Sequence, residues 1–414
     1  MADFCYNTKI SLSLLSSTIL IIGGGFAGTE AALCLARKKL PNTVIRLLEP
    51  KTYFEYHAAL YRFATGRSPM ESCIPYNDIF DDYDIDVVRD SAQTIDLEKK
   101  SALGASGSHY HYDKLLLALG STGTTFGIEG VSTYSFGMKS ATEALRLKNH
   151  IDEAFRTAKS VTGEKQMPLL HIAVVGGGAC GVEIAAELAS YAKKLALSSG
   201  LSPSQIRIDL IEATERVLGN LPLAASNATE ERLKALGVRV LLQTSVLREE
   251  QGTLVLSDGT INASTVIWTA GLCGHPLLKE TKGLQTDRKG RVEVDAFLQA
   301  KGTQDVYVLG DSAATPGSGM AQTALHDGRY VAGVIAAKHS GKTPAAYQPC
   351  PLTYAVPVGP KWAVVVQGTK VTSGYRGWLL RRLLDLRVFL TLLPLRKALR
   401  AFRCGYKLQE EDVG

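Results

Sequence analysis

A short apolar strand that runs straight into a Gly-x-Gly-x-x-Gly turn and then into a helix occurs twice in this chain. Few architectures accommodate that pattern even once. The first copy has the strand at 18–22 and the turn glycines Gly23, Gly25 and Gly28, with Phe26 and Ala27 between the last two; a helical pattern runs on from Thr29. The second has the strand at 171–175, the glycines Gly176, Gly178 and Gly181, and a helical pattern from Val182. In each, the first glycine permits the tight turn and the second lets backbone approach a pyrophosphate. The third lets helix pack on strand, and the helix N-terminus faces the phosphates. The next strand of each unit, at 43–48 and at 206–211, ends in an acid, Glu49 and Glu212, placed to accept from ribose hydroxyls. The duplication predicts two dinucleotide sites on two Rossmann-type units. An acid at the strand end repels a 2′-phosphate, so Glu212 predicts NADH over NADPH, with Arg216 four residues on as the group that softens the preference.

The 414 residues, 21% of them charged, suffice for two or three ordered domains. Seven cysteines lie at least 29 positions apart, so a redox dithiol, a zinc knuckle and a disulfide framework all lack their local signature. No metal site is expected, and the thiols point to a reducing compartment. The first strand is expected to follow a short lead without the basic start of a signal peptide or the arginines of a transit peptide. No uncharged apolar stretch is long enough to span a bilayer.

Two further segments carry a resemblance. Residues 112–121, ending in Leu119-Gly120-Ser121, and 305–313, with Gly310-Asp311-Ser312, resemble the paired motifs of the two-dinucleotide-binding flavoproteins. The resemblance implies FAD in the first cradle with Asp311 on its ribityl chain. It also implies an FAD domain built from both ends of the chain (1–120 and 271–345) around an inserted NADH domain (121–270). The fold expected is therefore α/β, with a small C-terminal sheet and amphipathic helix at 346–414. Hydride transfer between stacked rings needs orientation more than an acid–base dyad, and no catalytic triad is evident.

Without a dithiol beside the flavin, disulfide substrates drop out, leaving a quinone, oxygen or a protein carrier. Ala321-Gln322-Thr323-Ala324-Leu325-His326 resembles the AQxAxQ motif of type II (non-proton-pumping) NADH:quinone oxidoreductases, with His326 in place of the second Gln. This departure also fits the apoptosis-inducing-factor-like quinone reductases. The resemblance implies Gln322 and His326 at a quinone pocket, and Glu183 at the NADH–quinone junction. A histidine there can supply protons. Two rival readings are a sulfide:quinone oxidoreductase-like enzyme using Cys180 and Cys350, against which the intact second cradle argues, and an NADH-sensing flavoprotein of the apoptosis-inducing-factor type.

The net charge of +6 is concentrated at 375–404, where eight basic residues meet one acid, Asp385. Leu379, Leu383, Leu386, Leu390 and Leu393 fall within about 80° of one helical face at 100° per residue. Such a helix suits a membrane interface, with arginine stems snorkelling toward anionic lipid. The tail also resembles the membrane-anchoring end of the type II dehydrogenases. A peripheral protein on the cytoplasmic membrane face is expected, with a homodimer interface as the other cover for the helix. Nucleic acid is not expected, because the basic run lacks interleaved aromatics.

Overall fold

The structure, a computed structural model, describes residues 17–404. The expected N-terminal lead lies outside the described residues. Strand β1 (Ser17–Ile22) has no charged residue, and Ile19 to Ile22 are at most 2% exposed. Burial on both faces is what a central parallel strand requires. β1 is followed by helix α1 (Phe26–Lys38) and by β2 (Thr43–Leu48), β3 (Asp86–Val88) and β4 (Lys114–Leu117). Within this sheet β1 pairs in parallel with β2 on one side and β4 on the other, with Ile21 opposite both Leu47 and Leu116.

Helix α2 (Ala141–Ser160) leads into the second unit. Its start is legible: Ser140 accepts the Glu143 N–H at 3.1 Å, and Ala144, Leu147, Ile151, Phe155 and Ala158 bury one face at helical spacing. Strands β5 (His171–Val175), β6 (Arg207–Ile211), β7 (Arg239–Leu241) and β8 (Thr265–Trp268) form a parallel sheet in the order β7-β6-β5-β8, and helix α3 (Ala179–Ser199) follows β5. The chain then returns. β9 (Val306–Val308) pairs with β4 and completes the first sheet in the order β9-β4-β1-β2-β3. Between the two sheets, residues 121–123 and 272–274 pair antiparallel as the double connection.

Helix α4 (Ala321–His339) packs on α1, at a separation that a side chain at Gly328 would not allow: its Cβ would lie 2.6 Å from the Ala27 carbonyl oxygen. The C-terminal part holds an antiparallel meander of β10 (Thr353–Pro357), β11 (Ala363–Gln367) and β12 (Lys370–Thr372), then helices α5 (Gly374–Leu392) and α6 (Leu395–Cys404) separated at Pro394. Leu379, Leu383 and Leu390 are exposed along α5, as its periodicity requires, but Leu393 is buried because the helix has ended one residue earlier.

The expectation that the α5 arginines reach toward lipid needs correction for two of them. Arg381 and Arg382 are buried. Arg382 bonds Glu71 at 2.8 Å and Asp385 at 3.2 Å, and Arg381 bonds Asp385 and the Ala58 carbonyl oxygen. Arg62 adds two bonds to Glu71, at 2.7 and 2.8 Å. Two acids, Asp385 on the buried side of the same helix and Glu71 remote in sequence, drew these guanidinium groups inward, since a buried cation without a partner is too costly to keep. Arg376, Arg387, Arg396, Arg400 and Arg403 remain exposed.

Candidate active site

The two glycine turns are built alike. Gly23 and Gly176 both take left-handed backbone, with φ of 102° and 108°. A Cβ on Gly28 would lie 1.9 Å from the Gly23 carbonyl oxygen, and one on Gly181 would lie 1.8 Å from that of Gly176. Helix and strand therefore meet through bare backbone. By contrast, a Cβ on Gly25 or Gly178 would meet nothing within 4 Å. These are the open positions in each turn, and they suit the approach of a diphosphate.

The strand-end acids do more than sequence indicated. Glu49 accepts the Gly24 N–H at 2.7 Å and the Lys51 N–H at 3.1 Å; Glu212 accepts the Gly177 N–H at 2.6 Å and the Thr214 N–H at 2.8 Å. Each carboxylate thus ties the glycine turn to its strand, and its remaining lone pairs are left for a ribose. The middle glycines are consequently constrained too: a Cβ at Gly24 would meet the Tyr76 hydroxyl at 2.1 Å and one at Gly177 would meet Glu212 at 2.9 Å. Arg216 does not face a ribose phosphate. Its guanidinium donates to the carbonyl oxygens of Gly219 and Leu221 and to the Ser226 hydroxyl.

A cavity of about 440 Å³ opens between the two units. Gly23, Gly24, Gly25, Phe26, Ala27, Glu49, Gly120 and Asp311 line one part of it; Ala179, Cys180 and Glu183, in the first turn of α3, line another. The motifs at 112–121 and 305–313 are bonded to each other at its wall. Ser121 donates to Asp311 at 2.7 Å and the Gly120 N–H donates to Ser312 at 3.0 Å, while Lys139 reaches Ser121 at 3.1 Å. Asp327, invisible to motif reading, fixes the same turn. It is fully buried and accepts the Gly310 N–H at 2.9 Å and the Tyr347 hydroxyl at 2.6 Å, and burial pushes its carboxyl up to about 6.

Glu183 faces this cavity, and burial pushes its carboxyl up to about 7 against the pull of Arg381 and Arg62. Gln322 and His326 do not line it. Gln322 donates to the Pro351 carbonyl oxygen at 2.6 Å and accepts from the Thr353 N–H, and His326 is bonded to the Gln348 carbonyl oxygen at 2.8 Å beside the Tyr347 ring. Both side chains fasten α4 to residues 347–353, while Met320, Ala321 and Ala324 of the same region reach the cavity. Cys180 lines the cavity and Cys350 does not, so no thiol pair is assembled there. No group of three or more metal-ligating side chains occurs among the described residues.

This architecture has relatives. Residues 17–328 match the pyridine nucleotide-disulphide oxidoreductase family along their whole length. The chain belongs to that family. Within it, a type II NADH:quinone oxidoreductase (Ndh) of Mycobacterium tuberculosis is 32% identical over 349 residues, covering 80% of this chain and 74% of that protein. A type II NADH:quinone oxidoreductase of Staphylococcus aureus is 25% identical over 382 residues, covering 89% and 94%. Among solved structures, NDH2 from Plasmodium falciparum in complex with NADH superposes with a TM-score of 0.85 at 18% identity, covering 94% of this chain and 97% of that one. As a pyridine nucleotide-disulphide oxidoreductase this chain thus keeps the two glycine turns, and among the described residues no pair of cysteines lines the cavity beside them.

Proposed function

We propose that the chain is a peripheral-membrane NADH:quinone oxidoreductase that passes a hydride from NADH to FAD and the electrons on to a quinone. The reading rests on one observation: a single cavity lined both by the first glycine turn with Asp311 and by the first turn of α3 with Glu183. FAD, when bound, supplies the carrier that accepts a hydride and releases its electrons to a second substrate.

The chain's own groups divide the work. Gly23, Gly25, Phe26, Ala27 and Gly28 cradle the FAD diphosphate at the N-terminus of α1; Glu49 takes the adenosine ribose, and Gly120 and Asp311 the ribityl side. Gly176, Gly178 and Gly181 do the same for NADH, with Glu212 on its ribose. Arg216, spent on three acceptors of its own loop, leaves Glu212 unopposed against a 2′-phosphate. Glu183 holds a proton near neutral pH at the meeting of the two sites. Gln322 and His326 act from behind the cavity wall, holding α4 against residues 347–353. We assign 1–120 with 271–345 to the FAD unit and 121–270 to the NADH unit, an assignment supported by the pairing of β9 with β4.

The 346–414 region is the membrane-facing part. Leu379, Leu383, Leu390 and Leu395 are 43%, 61%, 45% and 63% exposed, among the five outward arginines. Among the described residues no helix is long and apolar enough to cross a membrane. Apolar residues that enter the interface while arginines meet anionic headgroups suit attachment to one leaflet. The wide spacing of the cysteines in sequence, without a disulfide signature, favours its cytoplasmic side. The test is purification in detergent, a flavin spectrum, and anaerobic addition of NADH followed by a soluble quinone analogue. Bleaching by NADH and recovery with quinone are expected. A colourless protein after reconstitution, or a flavin that stays oxidised, refutes the reading.

A further inference from the structure

Eight histidines occur in the chain, all within the described residues, and His57 alone lines the nucleotide cavity. It opens a short 3-10 turn (His57–Ala59), and its side chain is 43% exposed. Its Nε2 lies 3.3 Å from Oε2 of Glu55, a carboxylate whose side chain is only 4% exposed. Burial alone would raise the Glu55 carboxyl. Hydrogen bonds from His57, from Lys51 at 2.5 Å and from the Ala141 N–H at 2.9 Å overcome that and hold it at about 2. Glu55 is thus a permanent anion behind the imidazole. A carboxylate in that position orients the ring.

The surroundings say what the ring faces. Tyr56, one residue before, donates to Asp385 of α5, and the Ala58 carbonyl oxygen, one residue after, accepts from Arg381 at 2.9 Å. This stretch of wall is therefore bolted to the underside of the helix whose outer face presents the exposed leucines. On the cavity side, the Phe26 ring lies 6.4 Å from the imidazole, and Ala58, Ala321 and Ala324 complete an apolar rim. The other cations at the wall are committed: Lys51 to Glu55, and Lys139 to the Ser121 hydroxyl that holds Asp311.

We infer that His57, backed by Glu55, is the proton donor to a quinone that enters at the apolar rim of the cavity. This rests on the quinone-reductase reading above. Reduction of a quinone by NADH consumes one proton beyond the hydride: the hydride brings two electrons and one proton, and the second oxygen takes its proton from the ring nitrogen of His57 that is not bonded to Glu55. Solvent restores that proton through the exposed edge of the ring, so quinone, NADH and one proton give hydroquinone and NAD⁺.

The experiment compares two acceptors, a soluble quinone analogue and ferricyanide, which takes electrons without protons. His57→Gln should lower the ratio of quinone to ferricyanide reduction about 100-fold in flavin-loaded enzyme, the usual contribution of a positioned proton donor. In His57→Ala, added imidazole should restore quinone reduction, which no merely structural role for the side chain would produce. A His57→Gln enzyme with the wild-type quinone rate overturns the assignment, and so does one in which both acceptors fail together at full flavin content. Wild-type protein that reduces ferricyanide but no quinone would instead remove the quinone reading itself, and this proposal with it.

Discussion

Asp385, on the C-terminal helix, accepts a hydrogen bond from the hydroxyl of Tyr56, 329 positions earlier in the chain and one residue before the cavity wall. Both are buried, Asp385 completely, and burial beside that carboxylate pushes the Tyr56 hydroxyl well above its ordinary value. The tyrosine therefore stays a donor, and the C-terminal helix α5 is coupled to the wall of the cavity by a buried polar contact. Removal of the carboxylate takes from Arg381 and Arg382 the anion they share. Asp385→Ala should cost about 3–5 kcal/mol, the usual penalty for stranding a buried charge. Denaturant unfolding of the purified protein measures this, and a change below about 1 kcal/mol would show that the network is solvated.

The twin glycine turns predict a separation of functions. At Gly28 a new Cβ would overlap the Gly23 carbonyl oxygen, so Gly28→Ala should cost on the order of 3 kcal/mol at the first turn, about 100-fold in FAD retention. Gly181→Ala presents the same overlap at the second turn. It should keep FAD bound while raising the NADH concentration needed to bleach it by a similar factor. Flavin content and an anaerobic NADH titration distinguish the two variants. Equal FAD loss in both would mean that the turns are not independent.

Nucleotide choice should rest on Glu212. A carboxylate and a 2′-phosphate held some 5 Å apart repel by about 3 kcal/mol at an effective dielectric of 20. Glu212→Ala should therefore narrow the ratio of kcat/KM for NADH over NADPH by at least tenfold. It should also loosen the turn, because the Gly177 and Thr214 N–H groups lose their acceptor. Arg216 should not replace the lost discrimination with affinity for the phosphate, since both of its terminal nitrogens are held by acceptors of its own loop and of Ser226.

Glu183 sets an expectation in pH. Its folded pKa of about 7 lies above the ordinary 4.5, so the folded state holds a proton there that the unfolded chain has released. The stability this adds is complete below pH 4.5 and is lost as pH rises to 7, beyond which the curve is flat with respect to this group. Glu183→Gln should remove that slope. Thermal unfolding between pH 5 and 8 checks it, and an unchanged slope in the variant excludes Glu183 as its source.

Membrane attachment should follow the exposed face of α5. Changing Leu379, Leu383 and Leu390 together to Ser removes the outward apolar row without touching the buried side of the helix, which carries Arg381, Arg382, Asp385 and Phe389. Co-sedimentation with anionic vesicles should fall about tenfold or more, since about 1.5–3 kcal/mol accompanies each large apolar side chain transferred out of water. Undiminished sedimentation would place the contact elsewhere.

The glycine turns were legible in the sequence because their demands are local: glycine where φ is positive or where backbone must touch, an uncharged apolar strand before, an acid at the end of the next strand. The C-terminal sheet was legible for the same reason, as alternating apolar runs. What escaped was set by partners distant in sequence. Nothing near Arg381 or Arg382 announces Glu71, so both arginines read as lipid-facing. Nothing near Gln322 or His326 shows that residues 348–353 will take their hydrogen bonds. Asp327, His57 and Glu55 belong to no motif, and their surroundings exist only once α1, α4 and α5 have been packed together.

The position of β9 has a consequence for synthesis. The first sheet takes an edge strand from residues 306–308, whereas all four strands of the second sheet lie within residues 171–268. Chains emerge from the ribosome N-terminus first and fold in units as they complete. The second sheet in sequence thus becomes complete before the first, and a nascent chain halted before Val306 would carry all four strands of the second sheet beside a first sheet still short of one.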